Sequence, residues 1–219
     1  LHDALPTSSI AASNRIVDLE VTQTSPSFRF TVSYLKNTGG FAKTWWYFYG
    51  WSSTTLASAL SSRKSRLTDL EVYNTSSGLR FSGLMEANST NGKAWWWHYN
   101  SSVAGIMAQA SSKGARVVDI EQYTIGSSTY YAAILLKNTG KDAKGWWMYV
   151  NVTSLTLQAL LTTNKARVWD FDRLSNGRYN VVMTRWSGEQ EWHWYGQTAA
   201  QVNTRVLQYG ARLIDIQQY

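Results

Sequence analysis

The sequence predicts an α+β domain, a tandem array of four β-β-β-α repeats of about 50 residues each. Three observations carry that expectation. Arg-x-x-Asp recurs at Arg15–Asp18, Arg66–Asp69, Arg116–Asp119, Arg167–Asp170 and Arg212–Asp215, in steps of 51, 50, 51 and 45 residues. An aromatic cluster lies midway through each step, at Trp45–Tyr49, Trp95–Tyr99, Trp146–Tyr149 and Trp192–Tyr195. The distance from the cluster to the next anchor is rigid: Gly50 to Arg66, Asn100 to Arg116, Asn151 to Arg167 and Gly196 to Arg212 are each 16 residues. A fixed period of this size marks units that bury their apolar faces on one another. Units run over about 15–65, 66–115, 116–166 and 167–211. Residues 1–14 read as a partial leading unit, the remnant of a helix, and 212–219 as a closing strand.

Each element follows from its pattern. The unit opens on a strand such as Arg116–Tyr123, whose simple alternation sets Arg116, Val118, Ile120 and Gln122 on one side and Val117, Asp119, Glu121 and Tyr123 on the other. A Ser/Gly/Thr turn leads to a second, apolar strand: Phe28–Leu35, Leu79–Met85, Tyr130–Leu136 and Tyr179–Met183. The aromatic cluster is the third strand, expected to form a hairpin with the second. The fourth unit is short because its connecting loop is trimmed at Trp186–Glu189. A helix closes the unit. Ser52, Ser102, Thr153 and Thr198 stand where a hydroxyl can cap the first free N–H groups. Leu56/Leu60, Ile106/Ala110, Leu157/Leu161 and Val202/Val206 repeat on one helical face. The array either closes by pairing its first and last units, into a ring or barrel-like form, or is cut from a longer parent.

Composition bounds the rest. A 44% hydrophobic fraction suits a globular core, and no apolar run approaches the ~20 residues that span a bilayer. The net charge of +7 is scattered rather than blocked, so it points only weakly to acidic partners or glycans. The absence of cysteine excludes disulfides and thiolate zinc sites. Sequons at Asn74, Asn88, Asn100 and Asn151 lift the expectation of secretion. The chain opens at Leu1 without Met or signal peptide and reads as trimmed.

The segment Lys137–Trp147 and the two endings Ala115–Tyr123 and Ala211–Tyr219 resemble the tandem repeat of the polyglycine hydrolase N-terminal domain, a repeat also found in bacterial tandem-repeat proteins. In the fungal hydrolases that domain precedes a serine hydrolase resembling a class C β-lactamase. The resemblance covers nearly the whole chain and implies a secreted repeat domain. The hydrolase half has no counterpart among these residues.

Candidate chemistry is weighed against the repeat. Ser61-x-x-Lys64 matches a β-lactamase motif, but it falls at a helix end, without companion motifs. Asp18/Glu20, Asp69/Glu71, Asp119/Glu121 and Asp170/Asp172 pair two carboxylates on a strand face, as glycoside hydrolysis requires. A pair written four times reads instead as structural, each Asp accepting backbone N–H groups or meeting an Arg of another unit. His2, His98 and His193 keep no ligand spacing, so no metal or cofactor is expected. Trp46, Trp96, Trp147 and Trp192 form a column without exception and read as core. The opposite face, with Trp45, Tyr47, Trp95, Trp97, Trp146 and His193, varies between units and stays aromatic. Left open, it would stack on sugar rings or extended peptide; the other reading buries both faces as a layer between sheets. The expected function is a secreted, non-catalytic domain that binds glycan, cell-wall material or extended peptide. The alternative is the substrate-binding part of a serine hydrolase. Nucleic acid, although Lys43, Lys93 and Lys144 precede the Trp pairs, is not the expected partner.

Overall fold

The computed structural model describes residues 13–88, 92–188 and 190–217. The helical remnant expected at the amino end falls on residues outside that description, apart from Ser13 and Asn14. Two compact units emerge, one within Leu1–Gly92 and Ile214–Gln218, the other within Lys93–Leu213.

The α+β tandem repeat is present. The first unit holds β1 (Asn14–Gln23), β2 (Arg29–Lys36), β3 (Trp45–Trp51), α1 (Ser53–Ser62), β4 (Ser65–Thr75) and β5 (Gly78–Ala87). The second holds β6 (Trp95–Ser101), α2 (Val103–Ser112), β7 (Ala115–Ile125), β8 (Ser128–Lys137), β9 (Trp146–Val152), α3 (Ser154–Asn164), β10 (Ala166–Arg173), β11 (Tyr179–Arg185) and α4 (Ala199–Gln208).

The strands pair out of phase with the sequence repeat. The three-stranded sheets run β3-β5-β4, β6-β8-β7 and β9-β11-β10, and β1 pairs with β2 alone. The expected hairpin of second and third strands is therefore replaced by one of first and second. The reason lies in the connections. β4 and β5 meet at a two-residue loop between Thr75 and Gly78, and β7 and β8 at one between Ile125 and Ser128, short enough for a tight antiparallel return. The aromatic strand runs antiparallel to the apolar central strand, as does the Arg-x-x-Asp strand. Those two edges therefore run parallel to each other, and parallel strands need a crossover. The capped helix is that crossover. Each hydrogen-bonded module is thus strand, helix, strand, strand, beginning at the Trp pair.

Helix starts follow the capping expectation. Ser52, Ser102, Thr153 and Thr198 accept from the N–H groups of Thr55, Gly105, Thr156 and Gln201. Just before the caps the chain turns through left-handed backbone, at Gly50, Asn100 and Asn151. The N–H there is satisfied from the sheet, by the Tyr73 hydroxyl for Gly50, the Tyr123 hydroxyl for Asn100 and Asn180 Oδ1 for Asn151. This fixed corner explains why the 16-residue step never varies.

Arg-x-x-Asp is the signature of a β-bulge. In every copy that forms a strand the register slips inside the motif, between Ile16 and Asp18, Leu67 and Asp69, Val117 and Asp119, and Val168 and Asp170. The extra residue reverses the alternation expected from period two. Val117 and Ile120 share one core cluster, as do Ile16 and Leu19. Arg and Asp consequently share the other side of the strand, contrary to the simple-alternation reading.

The fourth aromatic segment departs from its siblings. Trp192–Tyr195 and residues 212–217 form no strand, and no central strand follows them among the described residues. α4 is capped and buries no residue, whereas α1 buries Leu56 and Leu60 and α2 buries Ile106 and Ala110. In the first unit β2 has no aromatic strand beside it among the described residues. Tyr34, in the register of the fully buried Met85, Leu135 and Met183, is accordingly 55% exposed.

Candidate functional site

The aromatic face expected to be open is a packed layer wherever its neighbours are described. Trp45 and Tyr47 lie on Ile16, Leu19 and Leu84, so they cover the β1-β2 sheet. Trp146, with Met148 and Val150, lies on the cluster of Ile106, Val117, Ile120 and Leu135. Both contacts arise because the next module's aromatic strand settles on the sheet before it. Trp95 and Trp97 are half-buried, and Trp97 stacks on Tyr99 at 5.2 Å. His193 is half-buried, with its ring edge-on to Tyr195, and burial lowers its pKa.

The invariant Trp column turns to the helices. Trp96 packs against the cluster containing Ile106 and Ala110, and Trp147 against Leu157. Each indole also carries a cation. Arg63 stands 5.3 Å from the Trp46 ring, Lys113 5.2 Å from Trp96 and Arg185 5.8 Å from Trp147.

The recurring carboxylates have structural partners. Asp170 Oδ2 accepts from the Ile120 N–H at 3.1 Å, and Asp18 Oδ2 from the Ile216 N–H at 3.0 Å. In both cases the donor is the residue that follows the Asp of another repeat. Burial, with Asp215, Asp69 and Glu20 nearby, holds the Asp18 carboxyl well above its ordinary range. Burial and Asp215 push Glu20 up to about 8. The arginines bind elsewhere. Arg15 and Arg66 both pair with Glu86, Arg116 donates to Asn138 Oδ1, and Arg167 lies 3.9 Å from Glu191. Ser61 is exposed in the last turn of α1, and Lys64 lies just beyond its cap. Among the described residues no group of His, Cys, Asp and Glu is arranged to hold a metal.

The departure of the fourth repeat creates an open groove of about 360 Å³, lined by Gln158, Glu191, Trp192, His193, Trp194, Tyr195 and Gln197. Its floor is rigid. Trp192 and Trp194 both stack on Tyr209, at 4.9 and 5.9 Å. Arg205 lies 5.4 Å from the Trp194 ring and donates from Nε to Gln197 Oε1 at 2.9 Å. Flat rings beside amides and a carboxylate can stack on the C–H face of a sugar and hydrogen-bond its hydroxyls. Of the residues expected from sequence to bind a ligand, only His193 lines this groove, and Trp192, expected in the core, lines it as well. The remaining liners had one visible signal, the trimmed loop at 186–189, where the repeat rule breaks.

The polyglycine hydrolase-like structural repeat matches this chain over residues 45–88 and 104–138. The first match spans the β3-α1-β4-β5 module from its first strand to its last, and the second runs from α2 to the end of β8. No curated protein matches the chain.

Proposed function

We propose that this chain, built from polyglycine hydrolase-like structural repeats, is a non-catalytic recognition domain of a secreted protein and binds an extended glycan such as cell-wall material. The supporting observation is the aromatic and amide-lined groove at Gln158, Glu191–Tyr195 and Gln197. Asp18 and Asp170 each accept a backbone N–H of another repeat, which supports reading the repeated carboxylates as scaffold. The groove is the place where the scaffold ceases to be regular, as binding sites on repeat proteins are.

Retention on insoluble polysaccharides and on a glycan array is the test. Trp194→Ala is expected to weaken binding at least tenfold, while Trp186→Ala, exposed and outside the groove, leaves it unchanged. Because rings carry no charge, binding in the groove should change little between low and high salt. Retention that is equal in both variants would remove the groove from the reading.

The same preparation is expected to cleave no ester, β-lactam or polyglycine substrate. Activity lost on Ser61→Ala would overturn the non-catalytic reading, and activity lost on Asp119→Asn would return the carboxylates to candidacy.

A further inference from the structure

The charges of this protein are sorted by depth. Every Asp and Glu whose side chain is described is buried or half-buried, whereas most of the Lys and Arg side chains are exposed. Carboxylates are taken inward by the Arg-x-x-Asp strands, where Asp18 and Asp170 accept from other repeats. The surface is therefore more cationic than a net charge of +7 conveys.

The exposed cations also gather at one end of each complete module. Three segments meet there: the helix C-terminus, the end of the central strand, and the loop that enters the aromatic strand. Backbone hydrogen bonds lock them together. In the β6-β8-β7 module, Asn138 N–H donates to Gly114 O and Lys137 N–H to Ala94 O, each at 2.8 Å. In the β9-β11-β10 module, Trp186 N–H donates to Lys165 O at 2.9 Å and Arg185 N–H to Gly145 O at 2.8 Å. In the β3-β5-β4 module, Asn88 N–H donates to Lys64 O and Ala87 N–H to Thr44 O, each at 2.9 Å. In the β6-β8-β7 and β9-β11-β10 modules each segment carries a cation at this junction, whereas in the β3-β5-β4 module the central strand ends on Glu86 and Ala87. Lys93, Lys137 and the half-buried Lys113 stand there in one module, Lys144, Lys165 and Arg185 in the next. Asn138 fixes the loop by accepting from the Lys144 N–H and donating to the Lys144 carbonyl, and Asn37 holds Lys43 in the same way. The cation positions are thus built into ordered corners.

We infer that the junctions of the β6-β8-β7 and β9-β11-β10 modules form a repeated cationic binding edge for a linear polysaccharide bearing carboxylate or sulfate groups. Single cations on a surface bind weakly, and a repeated set acting on one polymer multiplies small affinities. The Trp planes at the same end favour a polysaccharide over single-stranded nucleic acid. Their faces already carry Arg63, Lys113 and Arg185, and single-strand binders need such faces for their bases. This edge is separate from the Trp192–Tyr195 groove and does not depend on it.

Binding of the whole chain is measured to polygalacturonate, to dextran sulfate, to neutral dextran and to a 30-nucleotide poly(dT), between 25 and 300 mM salt on the order of a Debye-length change from about 20 to 6 Å. Binding to one or both anionic polysaccharides is expected, steeply salt-dependent, with none to neutral dextran. Which of the two binds tells carboxylate from sulfate. The triple variant Lys137→Gln, Lys144→Gln, Lys165→Gln should lose at least tenfold in affinity. The matching Lys→Arg triple should keep it within threefold, and Arg29→Gln with Arg178→Gln, exposed at the hairpin end, should also stay within threefold. Thermal unfolding of each variant separates lost binding from lost structure, and if the Gln triple unfolds, single Lys137→Gln and Lys165→Gln variants replace it with an expected loss of about threefold each. Equal losses from the hairpin-end pair, tenfold preference for poly(dT), or no polyanion binding at 25 mM salt would each overturn the assignment. Salt-insensitive glycan binding lost on Trp194→Ala would concern only the groove.

Discussion

Replacing Trp146 by Ala is expected to destabilise the protein by about 3 kcal/mol, the lower part of the range for large aromatic truncations, because the ring is half-buried rather than sealed. Trp186→Ala, at a ring 54% exposed, should cost less than about 0.5 kcal/mol. Urea denaturation followed by far-UV circular dichroism makes the comparison. The expectation rests on which surface Trp146 covers. Its neighbours are Ile106, Val117, Ile120 and Leu135 of the module before it, together with Val182 of its own. Removing the indole would uncover apolar surface on two sheets at once, so the loss includes a cavity term as well as the transfer of the ring. Trp96→Ala should cost a similar amount, since that ring packs on the other side of its sheet, against the α2 cluster. If Trp146→Ala and Trp186→Ala prove indistinguishable, the aromatic layer between modules does not carry the packing ascribed to it.

The same residues show how far the sequence could be read. The period, the four helix caps and the rigid step from the aromatic cluster to Arg were legible because each is a local device: a hydroxyl at an N-cap, a left-handed corner, an apolar i, i+4 face. The pairing of strands was not. Nothing local distinguishes a Trp strand that returns on its own Tyr130–Leu136-type neighbour from one that waits for the central strand of the next repeat. Only the crossover helix decides, because it delivers the Arg-x-x-Asp strand parallel to the aromatic one and leaves a gap of one strand between them. The bulge was hidden for a similar reason. Val117 and Ile120 are three apart, and a period of two puts them on opposite faces until one residue is looped out. The groove was hidden because it arises where the repeat fails. Trp192 and His193 obey the column pattern, and it is the absence of a strand there, with Tyr209 of α4 stacked beneath, that opens their rims.

Glu20 and Asp18 are expected to contribute a loss of stability as pH rises from about 5 to about 8, opposite in sign to the contribution of His98 and His193, whose pKa values burial lowers. The cause is the acidic cluster on β1. Glu20 titrates at about 8 in the folded chain against an ordinary 4.5, because burial and Asp215 disfavour its charge. Asp18 is raised in the same direction, by burial first and then by Asp215, Asp69 and Glu20, although the Ile216 N–H acts against the shift. The sign follows from proton counting. Between the unfolded and folded values the native state holds a proton that the unfolded chain has released, so stability declines with pH across that interval. Below about 4.5 both states are protonated and the contribution is complete; above about 8 it has been lost. Glu20→Gln imitates the protonated side chain. It should leave the melting temperature near that of the parent at pH 5 and raise it above the parent at pH 8, which flattens the profile. Asp18→Asn keeps an acceptor for the Ile216 N–H and should flatten it further. A Glu20→Gln profile parallel to the parent's would mean that the cluster is ionised in the native state and stabilised by groups other than those described.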